Sequence, residues 1–301
     1  MNAFNQRVSS SPRSLGFALA LVVSVSTGLL SSGCQRGPAT VQAELGEANR
    51  LAADLRVQFN KAADASNRAV MADTDEASIA FAHDSEQLSS AVEHDVGALD
   101  PLVKGLAANE VELLEQFKKQ FSDYEKADRE ILALAVENTN LKAQRLSFGP
   151  AKDAADRFKA ALEALPAALP AADRCRGEAL VARAVLAVRE LQALQGPHIA
   201  SADDAAMAAM EQQMAALDSS VVEGLNALSG LVDPARLATA RAAFDEFKNL
   251  GAQIVTLSRR NSNVRSLDLS LRVKPPITAA CDDTLRNLQQ VVANEGSKAT
   301  R

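Results

Sequence analysis

The stretch FKKQFSDYEKADREILAL, residues 117–134, decides the fold class. Its apolar side chains recur in steps of three and four residues, at Phe117, Phe121, Tyr124, Ala127, Ile131 and Leu134. Such steps line one face of an α-helix with apolar side chains, as a helix in a bundle requires. The stretch ARAAFDEFKNLGAQIVTL, residues 240–257, repeats the same steps in the same order. Both stretches therefore predict long amphipathic helices that pack side by side.

The two stretches belong to an internal repeat. Residues 121–147 align with residues 244–270 without a gap, and the identical pairs are Phe121/Phe244, Ile131/Ile254, Leu134/Leu257, Asn138/Asn261, Asn140/Asn263, Leu146/Leu269 and Ser147/Ser270. Upstream, residues 88–103 align with 217–232, and downstream Asp156 aligns with Asp282. Three aligned segments in the same order indicate that a unit of about 125 residues, which is a domain length, was duplicated.

Turn-forming residues divide each half into four helices. In the first half the breaks fall after Met71, at Asp100-Pro101, at the Asn-Thr-Asn turn 138–140 and at Gly149-Pro150. Asn109, with Glu112 three residues later, is predicted to cap the third helix. The second half repeats this pattern, with breaks at Gly196-Pro197, Gly230, Asp233-Pro234, the Asn-Ser-Asn turn 261–263 and Pro275-Pro276.

We therefore predict an all-α protein made of two tandem four-helix bundles with up-down-up-down topology. The first bundle spans residues 34–168 and the second spans residues 169–301. The composition agrees, because 47% of the residues are hydrophobic but only 4% are aromatic, and Trp is absent. Such a core is filled by Ala, Leu and Val, and a sequence rich in Ala favours helix over sheet.

The charge of the chain argues against one class of partner. Lys and Arg number 32 and Asp and Glu number 38, which gives a formal net charge of −6. The sequence contains no basic stripe, so we expect no binding to nucleic acid.

Residues 1–33 have the pattern of a secretory signal peptide. Arg7 and Arg13 precede an apolar run at residues 15–30, which is short for a bilayer span of about 20 residues. The run ends in LSSGC, residues 30–34, which resembles the lipobox of bacterial lipoproteins, although Ser31 stands where that family usually has Leu. The resemblance implies lipidation at Cys34. Plain cleavage and an uncleaved anchor are the alternatives.

The location follows from this amino terminus. We expect a periplasm-facing protein that is attached to a membrane of the cell envelope through its lipid. Gln35, rather than Asp, follows the cysteine, which favours the outer membrane over the inner membrane. Export would also place Cys175 and Cys281 in an oxidising compartment, where an even pair normally forms a disulfide. Their places in the repeat put them at opposite ends of a bundle, so the pairing stays open.

No pattern of catalytic or cofactor-binding residues is found. Phosphate-binding glycine loops, HExxH and GxSxG are all absent, and no cofactor or metal site is predicted. His83 and His94 lie about 16 Å apart along one helix at 1.5 Å per residue, which is too far for both to bind one metal ion. They are assigned to a solvated helix face. His198 follows Gly196-Pro197 and is predicted to lie in a loop. We expect no enzymatic activity, and the sequence identifies no ligand-binding residue.

Three arginines, Arg50, Arg56 and Arg68, lie on the first helix. They are predicted to be solvated, and the alternative is that they face an anionic ligand at a seam between helices.

The segment 112–165 resembles the four-helix-bundle sensor domain of bacterial methyl-accepting chemotaxis proteins. The resemblance rests on Phe121-x-x-Tyr124, on ILALA at residues 131–135, on the Asn turn and on the short stretch 143–146 before the last helix. It implies an extracytoplasmic domain that senses small molecules, usually as a homodimer. We expect neither the second transmembrane helix nor the cytoplasmic coiled coil of that family here.

Taken together, the sequence predicts a non-catalytic, sensor-like envelope lipoprotein that binds a small molecule or a partner protein. The alternative is a periplasmic scaffold or spacer with no small-molecule ligand.

Overall fold

The computed structural model describes residues 38–299, and within these residues the protein is all-α. No strand occurs in this part of the chain. The helices are α1 Pro38–Met71, α2 Asp75–Val103, α3 Ala108–Glu137, α4 Thr139–Leu146, α5 Lys152–Glu163, α6 Ala171–Ala200, α7 Asp204–Ser229, α8 Pro234–Arg260, α9 Ser262–Arg272 and α10 Lys274–Ala299. None of the helices between residues 38 and 299 is long and apolar enough to cross a membrane. The predicted signal peptide and Cys34 lie outside the described residues.

Three helices begin with a side-chain cap. Thr74 accepts a hydrogen bond from the backbone N–H of Ala77, Asp203 caps α7, and Asp233 caps α8 with Pro234 in its first turn. The cap predicted for the third helix is wrong. That helix begins at Ala108 with no side-chain cap, so Asn109 is already inside it.

Three predicted breaks do not interrupt the helical path. Pro101 lies inside α2 and Pro197 inside α6. At Gly149-Pro150 the chain forms a single π-helical segment, Ser147–Ala151, which joins α4 to α5. The wider π turn accommodates a residue that has no N–H to donate.

The buried side chains form two large clusters, and each draws on both halves of the sequence. The first core is built by α1, α2, α3 and α10, and includes Leu55, Phe59, Val92, Phe117, Phe121, Tyr124, Cys281, Leu285 and Leu288. The second core is built by α4 to α8, and includes Phe158, Leu162, Val188, Leu191, Val221, Leu225, Phe244, Phe247 and Ile254.

The predicted tandem arrangement, with its boundary between residues 168 and 169, is not confirmed. The last helix of the first half, α5, packs against α6 and α8, and the last helix of the second half, α10, packs against α1 and α3. Each half thus donates its fourth helix to the core of the other half. The exchange buries the same apolar helix faces that a tandem arrangement would bury. The apolar pattern of the sequence alone therefore does not distinguish the exchanged arrangement from the tandem one.

The two Asn turns are the points where the chain crosses between cores. Asn138 and Asn261 adopt the left-handed conformation, with φ of 50° and 54°. The backbone N–H of Thr139 donates to Ser262 Oγ at 3.1 Å, and the N–H of Ser262 donates to Thr139 Oγ1 at 3.0 Å. These reciprocal bonds satisfy the free N–H groups at the starts of α4 and α9. We call residues 138–140 and 261–263 the crossing turns.

The asparagines that follow extend the same symmetric pattern. The N–H of Asn140 donates to Asn263 Oδ1 and the N–H of Asn263 donates to Asn140 Oδ1, both at 3.1 Å. Their side-chain amides donate to Asn261 Oδ1 and Asn138 Oδ1. The two turns predicted from the sequence therefore bind each other, residue against equivalent residue.

Candidate functional site

The middle of α7 is poorly packed. No residue between Met207 and Val221 is buried, whereas α2, its equivalent in the first half, has buried residues spread along its length. The carboxyl-terminal part of α7 packs closely on α6, where a Cβ added to Gly224 would lie 3.6 Å from Ala184 Cβ. Contact between α7 and α8 is sparse. The seam between α7 and α8 is therefore open along the middle of α7.

A cleft of about 480 Å³ occupies this seam, with α6 at its base. The apolar part of its lining is Leu191, Met214, Ala215, Phe247, Gly251, Ala252 and Val255, and the polar part is Gln195, Glu211, Asp218 and Lys248. Its volume falls within the range of about 300–1,000 Å³ that is usual for small-molecule sites.

The internal repeat gives each cleft residue a counterpart near the first core. Five polar residues there, Ser85, Glu86, Tyr124, Asp128 and Arg129, correspond to apolar residues in the cleft, namely Met214, Ala215, Phe247, Gly251 and Ala252. A smaller cavity of about 310 Å³ lies at the corresponding place near the first core, and its lining includes the charged residues Glu86, Glu125 and Arg129. The two halves therefore differ in polarity at this location.

In the first half a buried ion pair lies at this location. Lys274 Nζ lies 2.7 Å from Asp128 Oδ1, and the two side chains are only 3% and 6% exposed. The hydroxyls of Ser66 and Ser85 donate to the same carboxylate at 2.5 and 3.2 Å. Burial lowers the pKa of Lys274, and the Asp128 carboxylate opposes this effect. We call these four residues the Asp128 cluster.

The counterpart of Asp128 in the second half is Gly251, which leaves the space open. A Cβ added at Gly251 would meet no atom within 4 Å. The counterparts of Ser66 and Ser85 are Gln195 and Met214, and both line the cleft. No side chain at residue 251 therefore occupies this part of the cleft.

A polar network closes one end of the cleft. His198 is completely buried on α6, with Nδ1 2.8 Å from Ser258 Oγ and Nε2 2.9 Å from Glu211 Oε1. Arg259 donates to both oxygens of Glu211, at 2.6 and 3.0 Å. The pKa of Glu211 is lowered, mainly by the hydrogen bond from Arg259 and further by that from His198. The prediction that His198 lies in a loop is therefore wrong.

This network ties three helices together. Ser258 is completely buried, and its hydroxyl also donates to the backbone carbonyl of His198 at 2.8 Å. The corresponding positions in the first half are Ala69, Ala82, Ala135 and Val136, which take part in small apolar clusters. Ser258, His198 and Glu211 are arranged like a catalytic triad, but the serine hydroxyl is buried inside the protein. The hydrogen-bond network joins α6, α7 and α8.

An ion pair lies at the other end of the cleft. Lys248 Nζ is 2.9 Å from Asp218 Oδ2 and 5.7 Å from the centre of the Phe244 ring. This pair joins α7 to α8 across the seam, and both side chains are partly exposed. The cleft therefore lies between two charged links that connect the same helices.

The other residues singled out in the sequence lie elsewhere. Cys175 is exposed on α6, Cys281 is buried in the first core, and both are free. The exchange of helices puts the two cysteines on helices of different cores. Burial raises the pKa of the Cys281 thiol to about 12. His83 and His94 are exposed on α2, as predicted.

The three arginines of α1 are engaged at the surface. Arg50 pairs with Glu47 and Asp54, Arg56 pairs with Asp282, and Arg68 lies 4.0 Å above the Phe81 ring. None of them lines the cleft. Within residues 38–299 no group of three or more His, Cys, Asp or Glu side chains is placed to hold a metal ion.

The cleft residues were not predicted from the sequence. The signal that could have identified them is the set of positions where the two halves differ in polarity. If both halves packed alike, equivalent positions would keep the same pattern of polar and apolar residues. With the geometry established, similarity to known proteins adds no further assignment. No protein-family model and no curated protein matches this chain.

Proposed function

We propose that this protein is a non-catalytic, sensor-like lipoprotein of the bacterial envelope, and that it binds a small molecule in the cleft between α6, α7 and α8. The observation that carries the proposal is that five residues are apolar at this place in the second half and polar in the first, with an apolar cleft of about 480 Å³ in the second half where the first half has a buried ion pair. A change that only relaxed the packing would not be expected both to make the middle of the lining apolar and to place charged links at its two ends.

In this proposal the fold is a duplicated four-helix unit whose halves exchange their last helices. The first core, with its Asp128 cluster, serves as the structural half, and the second core serves as the binding half. The lipid at Cys34 holds the protein at the periplasmic side of a membrane, the outer membrane being favoured. Any signal then passes through a partner protein of the envelope, and the resemblance to chemotaxis sensors also implies a homodimer.

The experiment that tests the binding function is a screen for ligand-induced thermal stabilisation of the purified full chain. A ligand that binds only the native state raises the melting temperature by mass action. The screen is repeated with Gly251→Leu, which fills the cleft, and with Gly97→Leu on α2. Gly97 is also exposed to open space inside a helix, so this control changes helix propensity in the same way.

We expect a compound that stabilises the wild type and Gly97→Leu but not Gly251→Leu. Stabilisation of all three proteins to the same extent would contradict the proposed site. Failure of every compound in a broad metabolite library would favour the scaffold alternative.

The membrane attachment is tested separately. Labelled palmitate should enter the wild-type chain and not Cys34→Ser, and the variant should leave the membrane fraction. A label that persists in Cys34→Ser would contradict lipidation at this residue.

A further inference from the structure

We infer that the cleft takes an uncharged, predominantly apolar molecule of small size, and this inference rests on the proposed function. Three features of the described residues carry it: the pairing of every charged side chain in the lining, the apolar surface between those pairs, and the volume of the cleft.

Each charge in the lining already has a partner of opposite sign. Glu211 is held by Arg259 and His198, and Asp218 is held by Lys248. A charged ligand group would have to displace one of these partners or enter the cleft without a counter-charge. Both routes cost free energy, because a partly buried ion loses hydration that only a new partner restores. A neutral ligand avoids this cost.

The surface between the charged links is apolar. Leu191 and Phe247 are 7% and 3% exposed, and Met214 and Val255 are half-buried around the opening. Covering such a surface with an apolar ligand removes it from water, and each square ångström covered contributes about 25 cal/mol. An aromatic or branched aliphatic body suits this lining.

The size of the cleft favours a small molecule over a partner helix. One turn of an α-helix, about 5.4 Å long and 10 Å wide, occupies roughly 400 Å³. A cleft of about 480 Å³ therefore accepts little more than one turn, and the ion pair Lys248–Asp218 closes the seam beyond it.

The test uses three probes that share one apolar body: 1-naphthalenemethanol, which is neutral, 1-naphthoate, which is an anion, and 1-naphthylmethylammonium, which is a cation. Binding of each to the purified full chain is measured by calorimetry. We expect the neutral probe to bind about tenfold more tightly than either ion. Gly251→Leu should weaken its binding by at least about tenfold, and Gly97→Leu should leave it unchanged.

A second variant guards against a folding defect in the first. Ala252→Phe places a ring at an exposed position of the lining and should also block the neutral probe. Lys248→Met removes the partner of Asp218, and we expect it to shift the preference toward the cationic probe. A purely structural role for Lys248 would weaken all three probes alike.

The outcomes separate this inference from the proposed function. If an ionic probe binds best to the wild type and Gly251→Leu abolishes its binding, the ligand class is wrong and the cleft remains the binding site. If no probe binds, or if binding is insensitive to both Gly251→Leu and Ala252→Phe, the inference and the proposed site both fall.

Discussion

At the scale of single residues, the Asp128 cluster is the most demanding feature of the protein. It places a charged pair, Asp128 and Lys274, almost wholly out of water, and two serine hydroxyls complete the hydrogen bonding of the carboxylate. Such a pair adds little net stability over an apolar filling, but removing one member leaves the other charge buried without a partner. The cluster is therefore sensitive to single changes.

We predict that Asp128→Ala lowers the free energy of unfolding by about 3–5 kcal/mol, because Lys274 is left buried and unpaired. The double variant Asp128→Ala/Lys274→Met should recover most of this loss. Urea denaturation measures both. Glu130→Ala, an exposed neighbour, is the control and should change stability by no more than about 0.5 kcal/mol. Equal losses in the single and double variants would contradict a coupled pair.

Some residues could not be placed from the sequence for a physical reason. Gly196-Pro197 predicts a helix end, since proline cannot donate the helical bond, and this put His198 in a loop. The helix continues because tertiary bonds hold its last turn. Ser258 donates to the carbonyl of His198, and Asn140 donates to the carbonyl of Ile199 at 2.7 Å. Those partners lie 59 and 60 residues away, beyond any local pattern.

At the scale of helices, the sequence was informative where one face of a helix is buried. The predicted stripe of α3 is buried at Phe117, Phe121, Tyr124, Ile131 and Leu134, and only Ala127 is half-buried. The Asn turn ends α3 as expected. Which helices share a core was not predictable, because α5 and α10 present equally suitable apolar faces to either half. The crossing turns decide that choice through contacts 123 residues apart.

The α3 stripe should be costly to truncate. Phe121 is 5% exposed and lies against Phe59, Phe117 and Tyr124, with ring centres 5.6–6.2 Å away. We predict that Phe121→Ala lowers the free energy of unfolding by about 3–5 kcal/mol, because rigid rings cannot collapse into the void. Phe148→Ala, at a ring that is 70% exposed, is the matched control. A thermal melt with no difference between the two variants would refute this assignment of the stripe.

The link between α1 and α10 gives the protein a dependence on pH. Arg56, then Asn60 and Arg286, donate to Asp282 and hold its pKa at about 2, below the ordinary value of 3.8. The ionised carboxylate therefore stabilises the fold above pH 3.8, and this contribution is lost as the pH falls toward 2. We predict that Asp282→Asn lowers the melting temperature at pH 6 and that the difference shrinks below about pH 3.

Circular dichroism melts across this pH range measure the effect, with Asp245→Asn as an exposed control. A difference between Asp282→Asn and the wild type that stays constant from pH 6 to about pH 2 would show that the carboxylate's charge is not responsible.

At the scale of the whole molecule, the exchange of last helices makes each core depend on both halves of the chain. Deletion of residues 274–301 removes α10, which contributes Cys281, Leu285, Leu288 and Val292 to the first core. We predict that amides of α1 and α3 then lose most of their protection from hydrogen exchange, and that α6 to α8 keep more of theirs. Greater loss in α6 to α8 would instead match a tandem arrangement.

The crossing turns also determine how the chain would respond to tension. The chain leaves the first core at one crossing turn and comes back at the other, and these two turns are bonded side by side. Residues 141–260 thus form a segment whose two ends lie next to each other. A stretching force applied at Pro38 and Ala299 would act directly on α1 and α10. Residues 141–260 would bear no tension until the two crossing turns separated. The cleft between α6, α7 and α8 lies entirely within residues 141–260 and would stay unloaded.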